Sequence, residues 1–197
     1  DIVDKSPWAA PVDAESDEHA TYIAQLLVAP DFGIAPKATI YNYVSILDAQ
    51  KSSDDCSLGT ASPAGRAKLD YLIEQAINDG ADIITISSSF PTDSIDLRWA
   101  MARALAEGVI VVAAMGNETT EDPDDSLALW SGICGIGATT RYSTLTEYTN
   151  WGNGVMTTAL GTVMTRDTST GRVEEEEGTS FATPIIAGFL ARGWQHF

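Results

Sequence analysis

Residues 81–117, ADIITISSSFPTDSIDLRWAMARALAEGVIVVAAMGN, decide the fold. Ile83-Ile84-Thr85-Ile86 is a short, continuous apolar run rich in β-branched residues, which reads as a buried strand. A helix is expected over about 94–107, stopped by Gly108. Val109-Ile110-Val111-Val112-Ala113-Ala114 is a second apolar run. Strand, helix and strand in that order make a βαβ unit, and unbroken apolar strands are those buried on both faces. The expectation is a mainly parallel sheet with helices on both sides.

Outward from this unit the pattern continues. Residues 64–79 (AGRAKLDYLIEQAIND) read as an amphipathic helix ending at Gly80, and residues 19–29 (HATYIAQLLVA) as another, with His19 at its start. Ala38 to Leu47 (ATIYNYVSIL) is β-branched and aromatic, hence a strand. Residues 1–18 read as a very short strand followed by a loop, and 48–62 as a Ser/Asp/Gly/Pro-rich loop. Short strands separated by Gly and Asn turns are expected over 133–165, and a final helix near Ser180. The acidic runs 121–125 and Glu174 to Glu177 read as solvated loops. There is no internal repeat, and 197 residues suit one three-layer α/β domain spanning 1–197.

Hydrophobic residues make up 44% of the chain and charged residues 20%, so it should fold rather than stay disordered. The 28 acids outnumber the 11 bases, giving a net charge of −17. That argues against nucleic acid as a partner, since its phosphates need Lys and Arg. It would attract cationic peptides, and it equally suits a salty or extracellular medium; the extracellular setting is weakly favoured. No apolar run approaches the roughly 18–20 residues of a membrane span, and no secretory signal opens the chain. Cys134 reads as a buried thiol in Ile133-Cys134-Gly135-Ile136, Cys56 lies in a polar loop, and no disulfide between them is expected. Without CxxC or HExxH, no zinc site is indicated.

The chemistry is concentrated in Gly178-Thr179-Ser180-Phe181-Ala182-Thr183-Pro184, followed by the apolar stretch IIAGFLARGW. A glycine ends a loop, a serine opens a helix, and a proline is expected in the first turn, where its missing N–H costs nothing. The serine hydroxyl then sits at the positive end of the helix dipole, beside free backbone N–H groups able to receive an oxyanion. A simple helix cap is the competing reading of Ser180. The chain has 2 histidines. His196 is penultimate, which leaves His19 as the base of any Ser–His mechanism.

The stretch from Gly178 to Pro184 resembles the nucleophile motif of the subtilisin-like serine peptidases, the subtilases. Two further blocks follow the family's order. His19-Ala20-Thr21-Tyr22-Ile23-Ala24 resembles the block whose first His is the base. Val111-Val112-Ala113-Ala114-Met115-Gly116-Asn117 resembles the strand ending in the Asn that serves the oxyanion hole. Weaker matches are Gly33 to Ala38, Ile84 to Ser89, and Tyr148-Thr149-Asn150-Trp151-Gly152. The resemblance covers roughly residues 19–195. It implies a subtilisin-like fold and an endopeptidase that acts on peptide or protein substrates and needs no cofactor for its chemistry. Ser180 would be the nucleophile, His19 the general base and Asn117 an oxyanion donor; Ser87, Ser88, Ser89 and Gly116 would line the substrate.

The third member of the triad is expected at Asp4, after the apolar Ile2-Val3, although Lys5-Ser6 lacks the family's glycine. Asp13, Asp17 and a dyad without Asp are the alternatives. Other departures are Ala20 for glycine, Tyr22 for a second histidine, Ser89 for glycine, and ends trimmed relative to the family, with no recognisable propeptide. Calcium sites are frequent in the family, and Asp54-Asp55 and 121–125 carry oxygen ligands, but such runs are more often solvated. Glu174 to Glu177 would overhang the nucleophile and favour Lys or Arg near the cleaved bond, unless they form a loop without a role. A related class with a Glu base and an Asp oxyanion group is disfavoured by His19 and Asn117. A degenerate domain that binds peptides or acts as a scaffold is the remaining alternative.

Overall fold

The computed structural model describes residues 1–5, 14–43, 63–88, 92, 94–124, 126–167 and 169–194. Four parallel strands form its central sheet: β3 (Ile83–Ile86), β4 (Ile110–Ala114), β5 (Cys134–Thr139) and β6 (Val155–Leu160), in that spatial order. A second parallel pair joins β1 (Ile2–Asp4) to β2 (Ile40–Asn42), with Asp4 opposite Asn42. An antiparallel hairpin joins β7 (Thr162–Arg166) to β8 (Val173–Glu177).

Helices cover both faces of the central sheet. On one side lie α2 (Pro63–Asn78) and α3 (Ile95–Ala106), whose Leu69, Ile73, Leu97 and Met101 pack with Val111, Ala113 and Met115. On the other lie α1 (Ala14–Val28) and α4 (Thr179–Trp194), whose Leu27, Ala182 and Ala187 pack with Val112, Ile136 and Ala138. Val111, Val112 and Ala113 alternate between the two cores, as the two-residue period of a strand requires. Burying each large side chain of this kind contributes roughly 1.5–3 kcal/mol. The three-layer α/β architecture is thus the one expected.

Local chemistry explains the element ends. Ser94 caps α3, its side chain accepting from Leu97 N–H at 3.3 Å; Asp96 stands in the first turn and Arg103 in the last, each suited to the dipole. Gly108 then takes φ +80°, a conformation that strains any residue with a Cβ.

Several elements differ from expectation. α1 begins at Ala14, so His19 lies inside the helix rather than at its start. The opening Ala14-Glu15-Ser16-Asp17-Glu18 is polar enough to read as loop, yet acids are favourable in a first turn. Glu174 to Glu177 form strand β8, paired residue by residue with β7, instead of a loop. Glutamate is a poor strand former, but backbone pairing to β7 overrides that preference, and charge on an exposed strand discourages pairing with other chains. Pro184 is the sixth residue of α4, beyond the first turn. Having no N–H, it omits the helical bond that would run to the Ser180 carbonyl. Of the strand expected over Ala38–Leu47, β2 occupies Ile40–Asn42, and 44–47 lie outside the described residues. Cys134 is a half-buried free thiol whose pKa is raised by burial, while Cys56 lies outside the described residues. Among the described residues no helix is long and apolar enough to cross a membrane.

Candidate active site

Helix α4 runs against α1 and against each strand from β3 to β8, so its first turn lies where loops from several elements meet. Ser180 is its second residue. From α1, His19 reaches across 161 positions of sequence to bring Nε2 within 3.0 Å of Ser180 Oγ. The imidazole lies edge-on to the Phe181 ring, centroids 5.3 Å apart at 64°. Burial lowers the His19 pKa from its ordinary 6.5, favouring the neutral ring. In the tautomer with the proton on Nδ1, Nε2 accepts the serine proton.

Asn117 follows β4 by way of Gly116, whose φ is +99°. Its Oδ1 accepts from both the backbone N–H and the Oγ1–H of Thr179, each at 2.9 Å. Thr179 Oγ1 in turn accepts from Gly116 N–H at 3.1 Å. With its oxygen occupied, the Asn117 amide keeps Nδ2 as a donor. A Cβ placed on Gly178 would lie 3.0 Å from Ser180 Oγ, 3.4 Å from Asn117 Nδ2 and 3.7 Å from Ser180 N. Three groups therefore converge on one small volume that glycine leaves open. Two are hydrogen-bond donors and the third is a hydroxyl primed by a base, the arrangement that acyl transfer needs.

Asp4 ends β1 at its carboxyl end, opposite Asn42, and its side chain lies outside what the structure describes. Asp13 lies outside the described residues; Asp17 belongs to α1, with its side chain likewise undescribed. Ser87 and Ser88 follow β3 directly and are half-buried, whereas Ser89 lies outside the described residues. Among the described residues the buried Ser87 hydroxyl has no hydrogen-bond partner. Asp4, Ser87 and Gly116-Asn117 all stand at the carboxyl ends of parallel strands, where open α/β sheets bind ligands.

Nothing in the sequence assigns a separate role to Thr179 or Tyr148. Gly178 N–H donates to the Tyr148 hydroxyl at 3.1 Å. Both residues stand inside quoted blocks, but their partners are distant in sequence and left no local signal. The acidic strand is arranged in the same quarter. Burial raises the pKa of Glu176, and Glu174 and Glu18 raise it further, so three carboxylates lie close together, on the side of Tyr22. Of the 121–125 run, Asp122 accepts from Asn153 through both carboxylate oxygens, at 2.6 and 2.7 Å. Asp54-Asp55 lie outside the described residues. Among the described residues no group of three or more His, Cys, Asp or Glu side chains is placed to hold a metal ion.

A hydroxyl paired with an imidazole, beside an asparagine amide and a helix N-terminus, on a sheet of this topology, accords with what comparison finds. The chain belongs to the subtilase family, whose model matches residues 3–197. It is 30% identical over 183 residues to proteinase T of Parengyodontium album, covering 91% of this chain and 59% of that protein. It is 30% identical over 182 residues to the minor extracellular protease Epr of Bacillus subtilis (strain 168), covering 90% of this chain and 26% of that one. The chain thus spans less than two thirds of these relatives. Among solved structures, the self-cleaved protease domain of PatA superposes with a TM-score of 0.75 at 27% identity, covering 98% of this chain and 71% of that one. A cold adapted subtilisin-like serine proteinase shares the fold with a TM-score of 0.74 at 23% identity, covering 90% of this chain and 61% of that one.

Proposed function

We propose that this chain is a serine endopeptidase, with residues 1–197 acting as one catalytic domain on peptide or protein substrates. The observation that carries the reading is the 3.0 Å approach of His19 Nε2 to Ser180 Oγ, beside an Asn117 amide whose oxygen is already engaged. His19 takes the Ser180 proton as Oγ bonds to the substrate carbonyl carbon. The carbonyl electrons move to oxygen, and Asn117 Nδ2 and the Ser180 backbone N–H hold the resulting oxyanion. Collapse breaks the C–N bond, and His19 returns its proton to the leaving amine. Water, deprotonated by His19, then releases the acyl group by the same route.

Asp4 is the proposed third member. Its position at the carboxyl end of β1, level with Asn42, supports it as acceptor for His19 Nδ1–H. Ser87, Ser88 and Ser89 would run beside the substrate backbone, with Gly116 at the oxyanion side. Neither metal nor organic cofactor is needed for these steps. The test is hydrolysis of a denatured protein substrate by the parent and by Ser180→Ala. Loss of about 10⁶ in kcat is the size recorded for the corresponding change in subtilisin, a relative. Turnover by Ser180→Ala close to that of the parent contradicts the mechanism. Peptide binding by a parent without any hydrolysis would point to a degenerate, peptide-binding domain.

A further inference from the structure

Asn150 is 1% exposed, and its side chain is spent entirely on the backbone and one side chain of the loop that carries Asn117. Its Nδ2 donates to Met115 O at 2.9 Å and to the Glu118 carboxylate at 2.6 Å. Its Oδ1 accepts from Glu118 N–H at 3.1 Å and from Thr120 N–H at 2.8 Å. Both amide hydrogens and both oxygen lone pairs are thereby used. The Asn150 backbone N–H also donates to Gly116 O at 3.0 Å.

These bonds fall on both sides of Asn117. Met115 and Gly116 are gripped before it, Glu118 and Thr120 after it. A buried amide with every bond made fixes the groups it touches, because any shift leaves an unpaired polar group in a low-dielectric interior. Gly116 fits the arrangement: a Cβ there would come within 2.5 Å of both Asn150 Nδ2 and Glu118 Oε2. Two residues earlier, Tyr148 accepts Thr119 N–H at its carbonyl and Gly178 N–H at its hydroxyl, at 3.0 and 3.1 Å. One short segment thus holds the loop of Asn117 and the residue before the nucleophile turn.

We infer that Asn150 is a positioning residue for the oxyanion site, holding the Asn117 backbone in register with Ser180 so that Nδ2 meets the developing charge. The inference rests on the peptidase reading above. Asn150 touches no reacting atom, so its effect passes through Asn117. A displacement of about 1 Å in such a group can cost on the order of 10²-fold in rate.

The experiment is a double-mutant cycle between Asn150 and Asn117, read as kcat and KM on a peptide substrate with thermal unfolding in parallel. Asn150→Ala should lower kcat by roughly ten- to a hundredfold with KM little changed. Asn150→Asp should do no better, since it presents a carboxylate to Met115 O and the Glu118 carboxylate. In an Asn117→Leu background, Asn150→Ala should add almost nothing to the loss in kcat, because the group it positions is gone. Glu118→Ala alters an exposed residue, so it serves if Asn150 variants do not fold. It should give a smaller kcat loss that also vanishes beside Asn117→Leu. Multiplicative losses in the double variants, or full kcat in Asn150→Ala or Glu118→Ala, would overturn the inference while leaving an active parent. A parent without hydrolytic activity would instead overturn the peptidase reading.

Discussion

Thr179 donates twice to one atom of Asn117: its backbone N–H and its hydroxyl both reach Oδ1 at 2.9 Å. The double bond fixes the amide's orientation, since a flipped amide would turn two hydrogens toward two donors. Replacing Thr179 by Val removes one of these donors and strips Gly116 N–H of its acceptor. The buried, unpaired N–H costs roughly 1–3 kcal/mol of stability. Thr179→Val should lower kcat about tenfold, whereas Thr179→Ser should keep most of both properties. Kinetics and urea unfolding of the two variants check this; equal losses in both would show that the methyl group matters instead.

Asn117→Leu should lower kcat with little change in KM, because the amide is needed only once the carbonyl becomes an oxyanion. The expected factor, about 10²–10³, is the one recorded for removing this donor in subtilisin, a relative. A raised KM with intact kcat would assign Asn117 to binding of the ground state.

Gly178→Ala places a methyl carbon 3.0 Å from Ser180 Oγ at a residue with φ +149°. Backbone strain there costs roughly 1–3 kcal/mol, and the carbon occupies the volume the oxyanion would take. Hydrolysis should fall by two orders of magnitude or more, on the scale of a lost oxyanion donor, in a protein that still unfolds cooperatively. Activity near the parent's would mean that the oxyanion lies elsewhere.

The pH profile tests Asp4. Burial lowers the His19 pKa below 6.5, so the base stays neutral, and competent, to lower pH than an ordinary histidine. A carboxylate at Nδ1 acts in the opposite direction by stabilising the imidazolium. Asp4→Asn should therefore move the acid limb of kcat/KM to lower pH, below 6.5, while kcat near neutrality drops by about 10⁴. If neither limb nor rate moves, Asp4 is not the partner, and the same measurement on Asp13→Asn and Asp17→Asn identifies it.

Glu18, Glu174 and Glu176 lie close together around Tyr22, one helical turn from His19 in α1. Peptides carrying Lys or Arg beside the cleaved bond should be preferred at low ionic strength, and the preference should shrink as salt screens it. A peptide library cleaved without charge preference would leave β8 a structural strand.

The parts legible in sequence were those with local or motif character. The apolar runs of β3 and β4 and the glycine-terminated α2 and α3 announce themselves within a few residues. Ser180 and His19 were found through long motifs, not through any signal that they would meet across 161 positions. The start of α1 is obscured in sequence because Glu15-Ser16-Asp17-Glu18 has the composition of a solvated loop, and only the helix dipole makes acids favourable in a first turn. β8 is illegible in sequence because four successive glutamates hide the two-residue period, and only pairing with β7 makes them a strand. The grip of Asn150 on residues 115–120 joins segments some thirty residues apart. Nothing local marks that amide as different from a turn asparagine.

The most direct test of the Ser180–His19 mechanism is treatment with an organofluorophosphate, followed by peptide mass mapping and an assay of residual hydrolysis. One adduct is expected, on Ser180, with activity lost in proportion to labelling, and no adduct when His19 is replaced by Ala. Hydrolysis that persists in protein fully labelled on Ser180, or an inactivating adduct on any other residue, would contradict the mechanism.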